Sequence, residues 1–400
     1  MSKRILFVMN TLGHAGAETA LLELLNRLEG SCEIDLYVLM GQGELVSKLP
    51  PGVRLLNRKF SHCSVLSAKG RMRMAGTVVK ALLRRATCLR LFPYLCRNLL
   101  AMMGKRRVQF DKLLWRVLSD GGMRIPEEYD LAVAFLEGGA AYYVADHVKA
   151  RKKAAFIHID YGQAGYTREL DRDCYLSFDA LYPIAEEIRE KFLLAYPECA
   201  PRTHIFHNLV NREMVLEKSL QGEGFTDGYQ GVRILTVGRL TSQKSYPVAI
   251  EAMKLLKDAG CMARWYVLGE GDERRALERQ IGEYGLEEDF ILMGAVENPF
   301  PYYRQADLYV HATRYEGKSI AIEEAQILGC AIIASDCTGN REQILHGVDG
   351  ILCQLSPGAV KEAVLRLLGD GPLRERLRQA ASCKRVTYEE DINLLTELLK

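Results

Sequence analysis

Continuous apolar, β-rich runs recur along this chain with helix-length segments between them, and the series is played through twice. The first half offers KRILFVM (3–9), EIDLYVLM (33–40), DLAVAF (130–135), KAAFIHI (153–159), FDALYPI (178–184) and HIFHN (204–208). The second offers VRILTVG (232–238), ARWYVLG (263–269), DFILMG (289–294), ADLYVHA (306–312) and CAIIAS (330–335). Segments 16–28, 246–259, 272–284 and 319–329 have helical length. A strand that is apolar without alternation is buried on both faces, as in a parallel sheet covered by helices. Two such series predict an α/β chain of two doubly wound parallel-sheet (Rossmann-like) domains. A length of 400 residues fits two cores better than one.

The break falls in the polar, glycine-rich stretch 217–231, which has neither periodicity. The expected domains are 1–215, containing an insertion at 60–125, then 216–385, and a closing helix at 386–400. Open α/β sheets bind ligands at the carboxyl ends of their strands, so two such edges facing a central cleft are where chemistry is expected.

Composition narrows the class. Apolar residues make up 48% and charged residues 26%, an ordinary globular mixture, and the net charge is only +2. Eleven cysteines form no C-x-x-C pair and no zinc-like spacing, which suits a reducing cytoplasm. KRILFVMN runs straight into a glycine turn, so no secretory signal is expected, and no apolar run reaches spanning length. The charge is local instead: residues 60–125 hold fourteen Lys/Arg and two acids, Asp111 and Asp120, with apolar residues interleaved. That pattern suits basic amphipathic helices on an anionic membrane surface, though a helical insertion with a solvated basic face would look alike. No nucleic-acid reading motif accompanies it, so no nucleic-acid partner is expected.

Candidate site residues cluster at strand ends. Gly13 and Gly16 lie between the first strand and its helix, where a backbone can approach an anion at a helix N-terminus. The spacing is not the dinucleotide fingerprint, and a glycine turn packing helix on strand would look the same. His158 sits near the end of KAAFIHI, just before Ile159 and Asp160; a lone histidine there is more often structural. His207 and Asn208 read as turn formers. In the second half, Arg239 and Lys244 follow the first strand, and two such cations suit a diphosphate. Gly269 and Gly271 follow the second strand. RYEGKSIAIEEA (314–325) puts Glu316 just past a strand, then Gly317, Lys318 and Ser319 as a turn whose N–H groups would face an anion. Glu324 falls further along the next helix, beside Glu323, and one of that adjacent pair is expected on a solvated face. Each carboxylate can accept two hydrogen bonds from sugar hydroxyls.

G-H-A-G-A-E, G-R-L-x-x-x-K and E-G-K-S-I-A-I-E-E-A, in that order, resemble the family-4 retaining glycosyltransferases of the GT-B fold, from about residue 3 to 385. The resemblance implies a nucleotide-diphosphate sugar donor, with UDP the first guess, held mainly by the second domain. It implies that Arg239 and Lys244 bind the diphosphate, Glu324 the ribose, and Glu316 and His158 the transferred sugar, with Gly13 and Gly16 lining the opposite side. It also implies that the final helix, EDINLLTELLK, returns to the first domain. Two departures stand out: Q-K-S where the family often has Q-K-G, and E-G-K-S where many members have E-G-F-G. Lys318 would then either face the phosphates or point to solvent.

The expected function is a metal-independent retaining glycosyltransferase acting on a glycan or lipid-linked acceptor in cell-surface polysaccharide synthesis, cytoplasmic and peripheral on the inner face of the cell membrane. No D-x-D ends a strand, so no metal or other cofactor is called for. A carboxylate-pair glycosidase would leave the cations at 239–244 without a partner. A nucleotide-sugar epimerase of the same fold, needing no acceptor, and a non-catalytic nucleotide-sugar-binding protein at the membrane remain as alternatives.

Overall fold

The computed structural model describes residues 3–65, 67–104, 109–386 and 388–400. The chain divides into two compact units, Met1–Leu209 with Tyr388–Lys400, and Val210–Thr387.

The first unit is built on strands β1 (Arg4–Met9), β2 (Glu33–Val38), β3 (Val53–Leu55), β4 (Glu128–Ala134), β5 (Lys149–Ile157) and β6 (Ala180–Pro183), in the order β3-β2-β1-β4-β5-β6. Every pairing is parallel. The second unit uses β7 (Val232–Val237), β8 (Ala263–Leu268), β9 (Phe290–Gly294), β10 (Leu308–His311), β11 (Ile332–Ser335) and β12 (Ile351–Cys353), ordered β12-β11-β10-β7-β8-β9 and again all parallel. Read from the other side, that is the same order as in the first unit. Each sheet therefore reverses direction once, between β1 and β4 and between β7 and β10, and the carboxyl ends at such a reversal form a ligand crevice. The apolar runs fill both cores: Ile5 to Met9, Leu131 to Ala134, and Ile332 to Ala334 are all fully buried.

Two strands escaped the sequence reading. β3 and β12 are three-residue edge strands, too short to show a pattern. Conversely, HIFHN (204–208) forms no strand. His204 and Phe206 each donate a backbone bond to β6, at Leu181 and Pro183. The chain then leaves, because both the backbone N–H and the Nδ1 of His207 bond Asp391, at 2.8 and 2.7 Å.

Asp391 belongs to the segment that returns to the first unit. Arg27 pairs with Glu389 at 2.7 Å, and the Tyr182 hydroxyl donates to the Leu394 carbonyl at 2.9 Å, so this segment, which includes the helix Ile392–Leu398, is held at three points.

The first unit also carries α1 (Gly16–Leu28), three helices of the basic segment, α2 (Ala68–Leu83), α3 (Thr87–Gly104) and α4 (Phe110–Gly121), and α5 (Gly139–His147). Residues 66 and 105–108 of that segment lie outside the described residues. Its cations are not all on the surface. Arg116 of α4 is fully buried over the Tyr142 ring, donates to the Asp171 carbonyl at 2.7 Å and pairs with Asp146. Lys112 sits on the Tyr166 ring. These contacts anchor α4 into the core and leave α2 and α3 packed against it from outside.

Candidate active site

In the second unit, the chain past β7 runs through Gly238 and Arg239 into a short turn, Ser242–Lys244, and then the helix Tyr246–Asp258. Ser245 sits between them with φ +47, the left-handed region, where a glycine would be at ease. The turn keeps its shape despite the serine, whose Oγ accepts from Arg314 Nε at 3.3 Å.

That turn is laced to the loop past β10. Thr313 Oγ1 and Arg314 N both donate to the Gln243 carbonyl, and Gln243 Nε2 donates to the Tyr315 carbonyl. The lacing brings Lys244 and Glu316, 72 residues apart in sequence, into a direct ion pair. His311, the last residue of β10, lies 3.1 Å from the same Glu316 oxygen and 3.3 Å from Lys244 Nζ. Burial pushes the Glu316 carboxyl up, but the Lys244 charge and the His311 hydrogen bond outweigh it and hold the carboxyl at about 2. Burial, joined by the Lys244 charge, lowers the His311 pKa, so the ring is neutral. A carboxylate only accepts, which assigns the proton to His311 Nε2 and leaves Nδ1 to accept from the Tyr309 hydroxyl at 3.0 Å.

Glu324 lies on the helix Ile320–Ile327, half-buried. Burial raises its pKa to about 7, against a hydrogen bond from the Tyr303 hydroxyl at 3.1 Å. Its neighbour Glu323 is not on a solvated face. It is buried and pairs at 3.1 Å with Lys318, whose side chain is 9% exposed. Burial raises Glu323 to about 7, with Lys318 acting against it. Lys318 therefore points neither to solvent nor outward toward an anion; it turns into the protein beneath the turn. The backbone of Ser319 is also engaged, its N–H donating to Gln343 Oε1 at 2.7 Å and its carbonyl accepting from Gln343 Nε2 at 2.9 Å. Ser319 does not cap the helix with its side chain. Gly317 follows Glu316 in a turn packed so closely on the helix Thr338–Gln343 that a Cβ at Gly339 would lie 1.7 Å from its carbonyl.

Arg239 is exposed at the end of β7. Gly269, after β8, allows close backbone approach, but the approach observed is to the neighbouring loop: a Cβ there would lie 2.0 Å from the Gly238 carbonyl. Gly271 packs likewise on Leu240. These glycines press the loop carrying Arg239 against the end of β8.

In the first unit, β1 and β4 end at the other reversal. Gly13 is buried against Val65 and Glu44, while Gly16 is exposed at the start of α1, whose N-terminus has no side-chain cap. His158 follows β5, 7% exposed, with Phe135 and Phe156 rings beside it. Its backbone N–H donates to Glu137 Oε2 at 3.0 Å, whereas its Nε2 has no hydrogen-bond partner among the described residues. Burial lowers its pKa to about 4, so the ring is neutral near pH 7.

The site residues that sequence reasoning missed are His311, Tyr303, Gln243, Gln343 and Glu137. His311 carried one signal, a polar residue closing an apolar strand; the others act through distant partners and carried none.

The fold, two units of one strand order, is GT-B. Residues 230–383, most of the second unit, match the family model described as glycosyl transferases group 1. The chain is similar over its whole length to Anabaena Alr3699/HepE, solved in complex with UDP, with TM-score 0.68, 16% identity, and 99% of each chain covered. Among curated relatives it is 25% identical over 217 residues to the N-acetylgalactosamine-N,N'-diacetylbacillosaminyl-diphospho-undecaprenol 4-alpha-N-acetylgalactosaminyltransferase of Campylobacter jejuni, covering 54% of this chain and 56% of that one. It is 32% identical over 151 residues to the amylovoran biosynthesis glycosyltransferase AmsK of Erwinia amylovora, covering 36% and 37%. The matches thus span about half or less of those relatives' lengths. Among the described residues no helix is long and apolar enough to cross a membrane.

Proposed function

We propose that this chain is a retaining glycosyltransferase that moves a sugar from a UDP-sugar to a glycan or lipid-linked acceptor in polysaccharide or glycoconjugate synthesis. The observation that carries the reading is the Lys244–Glu316–His311 cluster at the reversal point of the second sheet, with Glu324 on the helix that follows. UDP accompanies the Alr3699/HepE neighbour, and an undecaprenol-linked acceptor is in the name of the Campylobacter relative.

In this reading Arg239 and Lys244 receive the diphosphate. Lys244 exchanges Glu316 for phosphate oxygens, and Glu316, ionised well below neutral pH, turns to the sugar hydroxyls. Glu324, with Tyr303 orienting one oxygen, takes the ribose diol. As the bond from the anomeric carbon to the diphosphate breaks, negative charge grows on the leaving oxygen. Cations fixed in advance stabilise that charge without reorganising. The acceptor hydroxyl bonds to the anomeric carbon from the face the diphosphate leaves and passes its proton to the departing phosphate oxygen, which gives retention. His158 orients the sugar through its open Nε2. Lys318 and Ser319 act beneath the turn, holding its shape, while Gly269 and Gly317 let the loops that carry Arg239 and Glu316 pack closely on their neighbours, and the exposed Gly16 at the start of α1 leaves backbone open to the donor.

Calorimetric titration of UDP and GDP into the wild-type chain, the Arg239→Ala/Lys244→Ala double variant and Glu324→Ala tests this. Micromolar UDP binding that both variants lose is expected. Failure of the folded wild-type chain to bind either nucleotide would overturn the reading. Release of UDP from UDP-sugar only when an acceptor is added separates transfer from epimerisation.

A further inference from the structure

α3 is apolar on two opposite sides. Leu91, Tyr94 and Asn98 face inward and are buried, and the Tyr94 hydroxyl donates to the Leu170 carbonyl at 2.8 Å. Leu89, Phe92, Leu100 and Met103 fall on the opposite face at helical spacing and are 74, 65, 68 and 58% exposed. α2 repeats the arrangement. Only Gly70 and Ala81 of its sixteen residues are buried, while Met72, Val79 and Leu83, at i, i+7 and i+11, form an exposed stripe. Phe110, at the start of α4, is 63% exposed as well. A surface helix needs one apolar face to pack; a second, outward one needs a partner.

The charge beside these stripes says which partner. Lys69, Arg73, Lys80 and Arg84 run along one side of the α2 stripe, and Arg90 and Arg97 along the α3 stripe, all exposed. From residue 68 to 104 there is no Asp or Glu at all. A specific protein interface reads both signs of charge and depletes lysine at its core. An apolar stripe bordered by cations alone matches headgroup phosphates above acyl chains.

We infer that the outward faces of α2 and α3 dock on an anionic lipid bilayer, with Leu83, Leu89, Phe92 and Leu100 entering the acyl boundary and the flanking cations on the headgroups. The docking stands on these faces alone and does not depend on the nucleotide-sugar reading.

Flotation of the full chain with vesicles of phosphatidylcholine alone, and of phosphatidylcholine with 30% phosphatidylglycerol, tests it; the vesicle composition and the salt are the variables. The chain is expected to float with the anionic vesicles and not the neutral ones, with binding falling at least tenfold between 50 and 500 mM salt. Phe92→Ser/Leu100→Ser and Lys80→Glu/Arg84→Glu should each weaken flotation about tenfold or more. All four side chains are exposed, so thermal midpoint and UDP binding should stay as in the wild type. Absence of flotation, or flotation that neither variant changes, overturns the inference. A concentration-dependent dimer abolished by Phe92→Ser/Leu100→Ser, without vesicle binding, overturns it in favour of a second copy of the chain.

Discussion

The two sheets share one strand order, yet their reversal points are furnished in opposite ways. The second carries a charged set that satisfies itself: Lys244 on Glu316, with His311 beside both. The first carries no such ion pair at His158: its backbone N–H is taken by the Glu137 carboxyl, and its ring keeps a buried nitrogen with no partner among the described residues. A charged set must be neutralised within the free protein, because isolated buried charge is costly. A neutral imidazole can wait unpaired at lower cost. The difference teaches that the unit proposed to take the diphosphate holds its charges in reserve against each other, while the other unit keeps an imidazole nitrogen unpaired among the described residues.

The sharpest way to break this comparison is Lys244→Ala. It strands the part-buried Glu316 carboxylate and removes the charge proposed to meet the diphosphate. Turnover is expected to fall by about 10²–10³, with a loss of roughly 3 kcal/mol in stability by denaturant titration. Wild-type turnover in this variant would show that the pair is only a brace. Glu324→Gln is expected to be milder, weakening UDP roughly tenfold or more by loss of a charge-assisted hydrogen bond worth about 1.5–3 kcal/mol, with the fold intact. His158→Ala should lower turnover about tenfold to hundredfold through poorer positioning while leaving UDP affinity as it was. An equal loss of UDP affinity would place the histidine on the nucleotide and undo the contrast between the units.

Proton linkage separates the two motif glutamates. Glu316 is held at about 2, below its ordinary value of 4.5, so its contribution to stability is present above pH 4.5 and lost as pH falls toward 2. Glu324 is raised to about 7, so its contribution is present below 4.5 and lost as pH climbs through 7. Glu323 is raised to the same value, so Glu324→Gln should lessen rather than abolish the slope of the stability profile between pH 4.5 and 7, without altering the acid limb, as thermal scans across pH will show. Smallest of all is Ser245→Gly. It relieves a left-handed serine worth about 1 kcal/mol but loses the Arg314 contact and loosens the unfolded chain. The net change in stability should stay within about 1 kcal/mol.

Most of the fold was legible because eleven of the runs are long enough to declare a period; ten of them became strands. The three-residue edges β3 and β12 could not, and HIFHN imitated a strand because its fate rests on Asp391, 184 residues away. The site was legible where chemistry demands a residue type, as at Arg239, Lys244, Glu316 and Glu324. It was opaque where side-chain direction decides. Lys318 and Glu323 read as surface charge, and only packing of the helix Ile320–Ile327 turns them onto each other inside the protein. The basic segment showed its charge in the sequence, but that α3 is apolar on both sides emerged only when one side was seen covered.

The segment Tyr388–Lys400 completes the first unit, although the whole second unit lies before it in the chain. On the ribosome, Arg27, Tyr182 and His207 have emerged long before Glu389, Leu394 and Asp391 exist to meet them. At about 5–20 residues per second, the 178 residues from 210 to 387 impose a wait of roughly ten to thirty-five seconds. During it, Arg27, Tyr182 and His207 of the nascent first unit lack the partners that the last segment supplies. The second unit, contiguous in sequence, suffers no such delay, so it can finish folding as soon as it leaves the tunnel, and the unit begun first is the one finished last.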